Sequence, residues 1–162
     1  MLSSCSKVTP KDYLNTEPKL DIRQYLSGDI KAWGILQDRK GKVTRKFVVE
    51  MTGVWDGDNG TLTEHFEFDD GQKDKRIWKI NFSDDNNFTA TAGDVVGNAI
   101  GSQYGSAMQM DYILDLEVDE GKRYKVKLDD WMYLIDEKTL VNKSKIKKFG
   151  ITFATLTIFF QK

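Results

Sequence analysis

Hydrophobic residues fall at every second position through most of this chain, which is the side-chain period of half-buried strands. Met108, Met110, Tyr112, Leu114, Leu116 and Val118 form the cleanest run. After the turn Asp119-Glu120-Gly121-Lys122, the alternation resumes with Tyr124, Val126, Leu128, Met132 and Leu134. Ile30 to Gln37 predicts a first strand and Val43 to Trp55 a second, joined by Arg39-Lys40-Gly41-Lys42. In the second, Val43, Phe47, Val49, Met51 and Trp55 share one face, while Thr44, Lys46, Glu50 and Thr52 share the other. Leu62, Phe66 and Phe68 then alternate with Thr63, His65 and Glu67, and Trp78, Ile80 and Phe82 with Lys79 and Asn81. Leu140 to Lys147 and Ile151 to Phe160 close the chain.

Gly, Asn and Asp clusters punctuate these runs: Asp56-Gly57-Asp58-Asn59-Gly60, Asp69-Asp70-Gly71 and Asp84-Asp85-Asn86-Asn87. Gly93, Gly97, Gly101 and Gly105 recur along one stretch. On a strand this spacing puts all four on one side, and it predicts a sharply bent strand. The one helical candidate is Leu20 to Leu26, too short to stand without packing partners.

About nine strands joined by tight turns predict an all-β fold, an antiparallel up-and-down barrel of about 8–10 strands behind a short N-terminal helix. A two-sheet sandwich is the competing architecture. A membrane-spanning barrel would need an apolar outer face. Here the alternate face carries Lys46, Glu50, Lys75, Lys79, Lys125 and Lys127, which points to an apolar interior and a wetted exterior. Residues 20–162 form the expected barrel domain, and the polar residues 1–19, with Pro10 and Pro18, read as a tether.

Composition adds exclusions. The chain has 162 residues, 40% hydrophobic and 30% charged, with a net charge of −1, so a dedicated nucleic-acid binder with a basic stripe is not expected. One Cys and one His cannot build a Cys/His metal cluster, and no metal or cofactor is expected. No run reaches the length of a transmembrane helix. Leu2-Ser3-Ser4-Cys5 resembles a lipobox, in which Cys5 becomes the lipidated first mature residue. That reading calls for an apolar stretch ahead of it, so the sequence would start late or trimmed. Ser6, where an inner-membrane retention signal places Asp, favours the periplasmic side of the outer membrane.

Carried through the strands, the alternation also turns charges inward. Arg45 falls in step with Val43, Phe47 and Val49; Glu64 with Leu62 and Phe66; Arg76 with Trp78 and Ile80; Asp130 with Leu128 and Met132. Asn142 and Ser144 add neutral groups. Burying such charges costs several kcal/mol in order of magnitude unless they are met by partners. Internal salt bridges are one explanation. The other is a ligand cavity, with Arg45, Glu64, Arg76, Trp78, Tyr112 and Asp130 as binding residues and the arginines nearest the polar head of a small amphipathic or acidic molecule. Glu64 and Asp130 are also the candidate pair for acid–base catalysis, but two arginines in the same register make ion pairing the better reading.

Several stretches together resemble a known family. LSSC at the start, KAWGILQDRKGKV (31–43), TEHFEF (63–68), RIWKI (76–80), GDVVGNAIGSQYG (93–105), DDWMYLID (129–136) and KKFG (147–150) are similar to the bacterial lipoprotein family of domain of unknown function 3833. The resemblance implies a lipid-anchored, lipocalin-like envelope domain and carries no activity or catalytic residue with it. The functional expectations are therefore a monomeric lipoprotein, anchored to the membrane at Cys5, that binds a small amphipathic ligand. A structural lipoprotein with a filled barrel and an enzyme using Glu64 or Asp130 are the alternatives.

Overall fold

The computed structural model describes residues 7–119 and 121–162. Cys5, the expected lipidation site, lies outside the described residues. Among them ten strands close into one antiparallel barrel in sequence order: β1 (Gly28–Asp38), β2 (Val43–Asp56), β3 (Asn59–Phe68), β4 (Lys73–Phe82), β5 (Asn87–Thr91), β6 (Ala99–Tyr104), β7 (Ala107–Asp119), β8 (Lys122–Leu134), β9 (Thr139–Lys148) and β10 (Ile151–Gln161). The first strand pairs with the last, from Lys31 opposite Gln161 to Asp38 opposite Ala154. That pairing rules out the two-sheet sandwich, because closure leaves no sheet edge.

The alternation in the sequence becomes the inside and outside of the wall. Phe47, Val49 and Met51 of β2 are buried, as are Trp78, Ile80 and Phe82 of β4, and Met108, Met110, Tyr112 and Leu114 of β7. Their neighbours Lys46, Glu50, Lys79 and His65 face solvent. Each buried aliphatic or aromatic side chain contributes about 1.5–3 kcal/mol relative to exposure, so the register is firmly set.

Residues 84–105 add one strand to those expected and correct one expectation. The stretch after the Asp84–Asn87 turn contains a short strand, β5, in which Phe88 and Ala90 are buried between exposed neighbours. The glycine series is not one bent strand. Gly93 and Gly97 lie in the 92–98 loop, Gly101 in β6 and Gly105 in the turn before β7. Gly101 lies across from Phe88. A Cβ at Gly101 would come within 2.2 Å of that ring, so the missing side chain serves close packing rather than a bend.

One end of the barrel is closed by helix α1 (Ile22–Tyr25), capped by the Asp21 side chain accepting from the Arg23 backbone N–H. Leu20, Ile22, Tyr25 and Leu26 are all buried there. The helix is pinned by Gln103, whose Oε1 accepts from Ile22 N at 3.0 Å, and by the Tyr25 hydroxyl donating to Lys138 O at 2.9 Å. Residues 7–19, expected as a tether, run along the outside of the wall. Tyr13 packs against Trp131 and Tyr133 with ring centroids 5.9 and 5.7 Å away.

Candidate functional site

The barrel encloses a cavity of about 90 Å³ lined mainly by apolar side chains, with Glu64, Arg76, Tyr112, Asp130 and Asn142 as its polar members. Strand pairing assembles the two sides of this polar cluster. β3 and β4 set Glu64 directly across from Arg76, and β8 and β9 set Asp130 across from Ser144, with Asn142 two residues along on the same face.

Asp130 is the most completely satisfied member. Asn142 Nδ2 and Ser144 Oγ both donate to its Oδ1, and the Tyr112 hydroxyl donates to Oδ2 at 3.1 Å. Burial pushes its carboxyl pKa up despite those three donors. Tyr112 is in turn raised well above the ordinary phenol value by burial and by the Asp130 charge, and so stays a donor. Its ring meets the Trp78 indole edge-on at 5.4 Å.

Arg76 is held by a residue that no alternation could nominate. Asp94, in the loop between β5 and β6, accepts from Arg76 Nε at 3.0 Å and from Nη2 at 2.6 Å. Burial works against the Arg76 cation, but the Asp94 hydrogen bonds and the nearby Glu64 and Asp94 carboxylates together outweigh it, and its pKa stands above the ordinary arginine value. The loop reaches this position because β5 and β6 are short. Only Lys79 to Phe82 of β4 have a β5 partner. The 92–98 segment covers the remaining gap by bridging to β7, with Val96 N donating to Ile113 O and Asp115 N to Asp94 O, both at 2.9 Å. The sequence marks it only as an Asp in a glycine-rich stretch that follows a strand too short to show its period.

Glu64 is left differently. Its Oε2 lies 3.9 Å from Arg76 Nη1, a weak ion pair, and that buried oxygen accepts no hydrogen bond. Its side chain retains 12% of its accessible surface. Burial pushes its carboxyl up to about 7, against the opposing pull of Arg76 and the Trp78 indole.

Arg45 departs from the expected set. It shares the inward register, yet it lies at the open end, off the cavity lining. Its guanidinium stacks on the Phe68 ring at 3.5 Å and bonds Asp70 at 3.1 Å and Gln72 at 2.8 Å. The reason is position along the strand: Val43, two residues earlier, is already exposed, so water reaches the charge. Glu64, Arg76, Trp78, Tyr112 and Asp130 do converge on the cavity.

Outside the wall, on the face opposite its neighbour Asp130, Asp129 is a buried carboxylate at 4% exposure. Gln109 Nε2 and Trp131 Nε1 each donate to its Oδ1 at 3.0 Å, and Lys7 and Lys147 lie within 3.5 and 3.6 Å of Oδ2. Burial alone would raise its pKa; the Gln109 bond and the two lysines hold it below the usual carboxylate range. This site fastens the start of the described chain to the barrel.

A closed antiparallel barrel, plugged at one end by a helix and carrying a charged cluster inside, is a lipocalin-like barrel. The chain belongs to the family described as Protein of unknown function (DUF3833), whose model matches residues 1–162. No curated protein matches it. Among solved structures it is similar to Rv2717c from M. tuberculosis, with 12% identity, a TM-score of 0.60, and 91% of this chain and 99% of that one covered. It is also similar to the S-type phycobiliprotein lyase CPES from Guillardia theta, with 8% identity, a TM-score of 0.51, and 86% and 88% covered. At these identities the likeness is one of fold.

Proposed function

We propose that this protein is a binding module that holds a small amphipathic molecule inside its barrel. The observation that carries the reading is Glu64 Oε2, a buried acceptor without a donor at a mainly apolar cavity. An unsatisfied buried polar atom costs about 1–3 kcal/mol, and a ligand donor would recover it. Met51, Met108, Met110 and Met132 line the same space, and their unbranched side chains can repack around an occupant. Native mass spectrometry of the protein purified from its own envelope tests this. A co-purifying small molecule of defined mass is expected, and its consistent absence would count against binding.

A second reading has its own support. Asp130 is met by three donors and Arg76 by Asp94, so most of the interior charge is satisfied by the protein itself. A filled barrel whose role is to meet another envelope component fits that observation. The enzyme reading rests on Glu64 and Asp130; retention of full cellular function by Glu64→Gln combined with Asp130→Asn would end it. We further propose that the protein is anchored by a lipid on Cys5 at the periplasmic face of the outer membrane, a reading supported by the LSSC motif. Labelling with palmitate is expected and should be lost in Cys5→Ser; labelling that survives would refute the anchor.

A further inference from the structure

Arginine in an apolar pocket ordinarily suggests a carboxylate or phosphate ligand. The Asp94 contact changes that chemistry here. Arg76 is the one cation on the cavity lining among the described residues, and a carboxylate already occupies its Nε and Nη2. Around it stand three acids, Glu64, Asp94 and Asp130, from three different elements. Three carboxyls against one guanidinium leave the cluster negative wherever fewer than two of them hold a proton. An entering carboxylate would meet Glu64 and Asp130 without a free cation to offset them, and like charges at close range in a poorly solvated site cost several kcal/mol in order of magnitude.

The acceptors are not equally free either. Asp130 is engaged by Asn142, Ser144 and Tyr112, whereas Glu64 Oε2 has no donor. The Phe66 and Trp78 rings are likewise engaged by the Arg76 guanidinium, at 5.6 and 5.8 Å, so the Glu64 oxygen is the acceptor this side of the cavity leaves open. The cavity's 90 Å³ holds a polar head and the first few carbons behind it, well under a drug-sized pocket of about 300 Å³ or more. A longer tail would leave past the half-buried lining residues Phe66, Met132, Leu156 and Ile158.

From this juxtaposition we infer that the cavity selects a narrow apolar molecule whose polar end is a hydrogen-bond donor, a primary amine foremost, and discriminates against carboxylates, with Glu64 as the recognising residue. The inference rests on the binding-module reading and names the ligand class for that same site.

The test is calorimetric titration of the full chain with octylamine, octanol and octanoate at neutral pH. Octylamine is expected to bind at least tenfold tighter than octanoate, the difference that a charge-assisted bond of about 1.4 kcal/mol or more supplies. Octanol should fall between them. Glu64→Gln should bring the amine and the carboxylate to within about threefold, while Glu64→Asp, which keeps the charge, should retain the order. Octanoate binding as tightly as octylamine would overturn the inference and leave the binding module standing, as would a preference unchanged in a folded Glu64→Gln protein. If none of the three binds, the binding-module reading itself falls, and the inference with it.

Discussion

Replacing Glu64 by Gln should make the barrel less sensitive to pH, and the sign and size follow from where its carboxyl titrates. The carboxyl goes from an ordinary 4.5 to about 7 on folding. Between those values the folded protein holds a proton that the unfolded chain has lost, so stability falls as pH rises through the window and the loss is complete above about 7. At about 1.4 kcal/mol per pKa unit, the swing is about 3 kcal/mol. Gln has the same shape and no titration. The variant should therefore match wild type near pH 4 and exceed it by about 3 kcal/mol near pH 8. The charged and titratable groups facing Glu64, namely Arg76 on β4, Asp94 on the 92–98 loop, Tyr112 on β7 and Asp130 on β8, are present in both proteins, so their own slopes largely cancel in the difference. Urea unfolding of both proteins across this range gives that difference directly. Parallel stability profiles, offset by a constant, would refute the claim that Glu64 is forced to choose between a proton and a buried charge that Arg76 and Trp78 only partly compensate.

Asp94→Ala should cost about 1–3 kcal/mol in chemical denaturation, less than a fully buried pair because both partners keep some solvent contact, and it should move the Glu64 inflection to lower pH as Arg76 turns toward it. Gly53→Ala should destabilise by about 2–3 kcal/mol, since the added Cβ would lie 1.6 Å from the Leu26 carbonyl oxygen and force the closing helix away; an unchanged melting temperature would contradict the described end plug. Tyr13→Ala should raise hydrogen exchange across residues 7–20 while changing global stability by no more than about 1 kcal/mol, because the strap is an addition to a barrel already closed.

How much of this was legible in the sequence depended on whether a residue's environment is set locally or by a distant segment. Alternation is local, so the long strands and the inward direction of Glu64, Arg76 and Asp130 could be read from spacing, while closure over a two-sheet sandwich rests on the pairing of β1 with β10. The short strand β5 was not, since five residues bounded by an Asn-rich turn and a glycine loop carry too little periodicity to stand out. Parity also gave direction without depth: Arg45 and Arg76 share an inward register, yet one sits on Phe68 in reach of water and the other lies in the interior. Asp129 shows the same limit from outside, where a residue facing away from the core was covered by Lys7, Gln109, Trp131 and Lys147.

The sequence by itself determined which side chains enter the barrel, because a two-residue period leaves each strand one way to bury its apolar face. Tertiary structure decided which of those buried charges remains unmatched. The loop that brings Asp94 onto Arg76 lies eighteen positions along the chain and crosses a gap in the wall. Its carboxylate occupies the guanidinium and leaves Glu64 Oε2 as a buried acceptor still without a donor. Competition among three carboxylates for one cation is settled by distances in space, and strand periodicity holds no information about them.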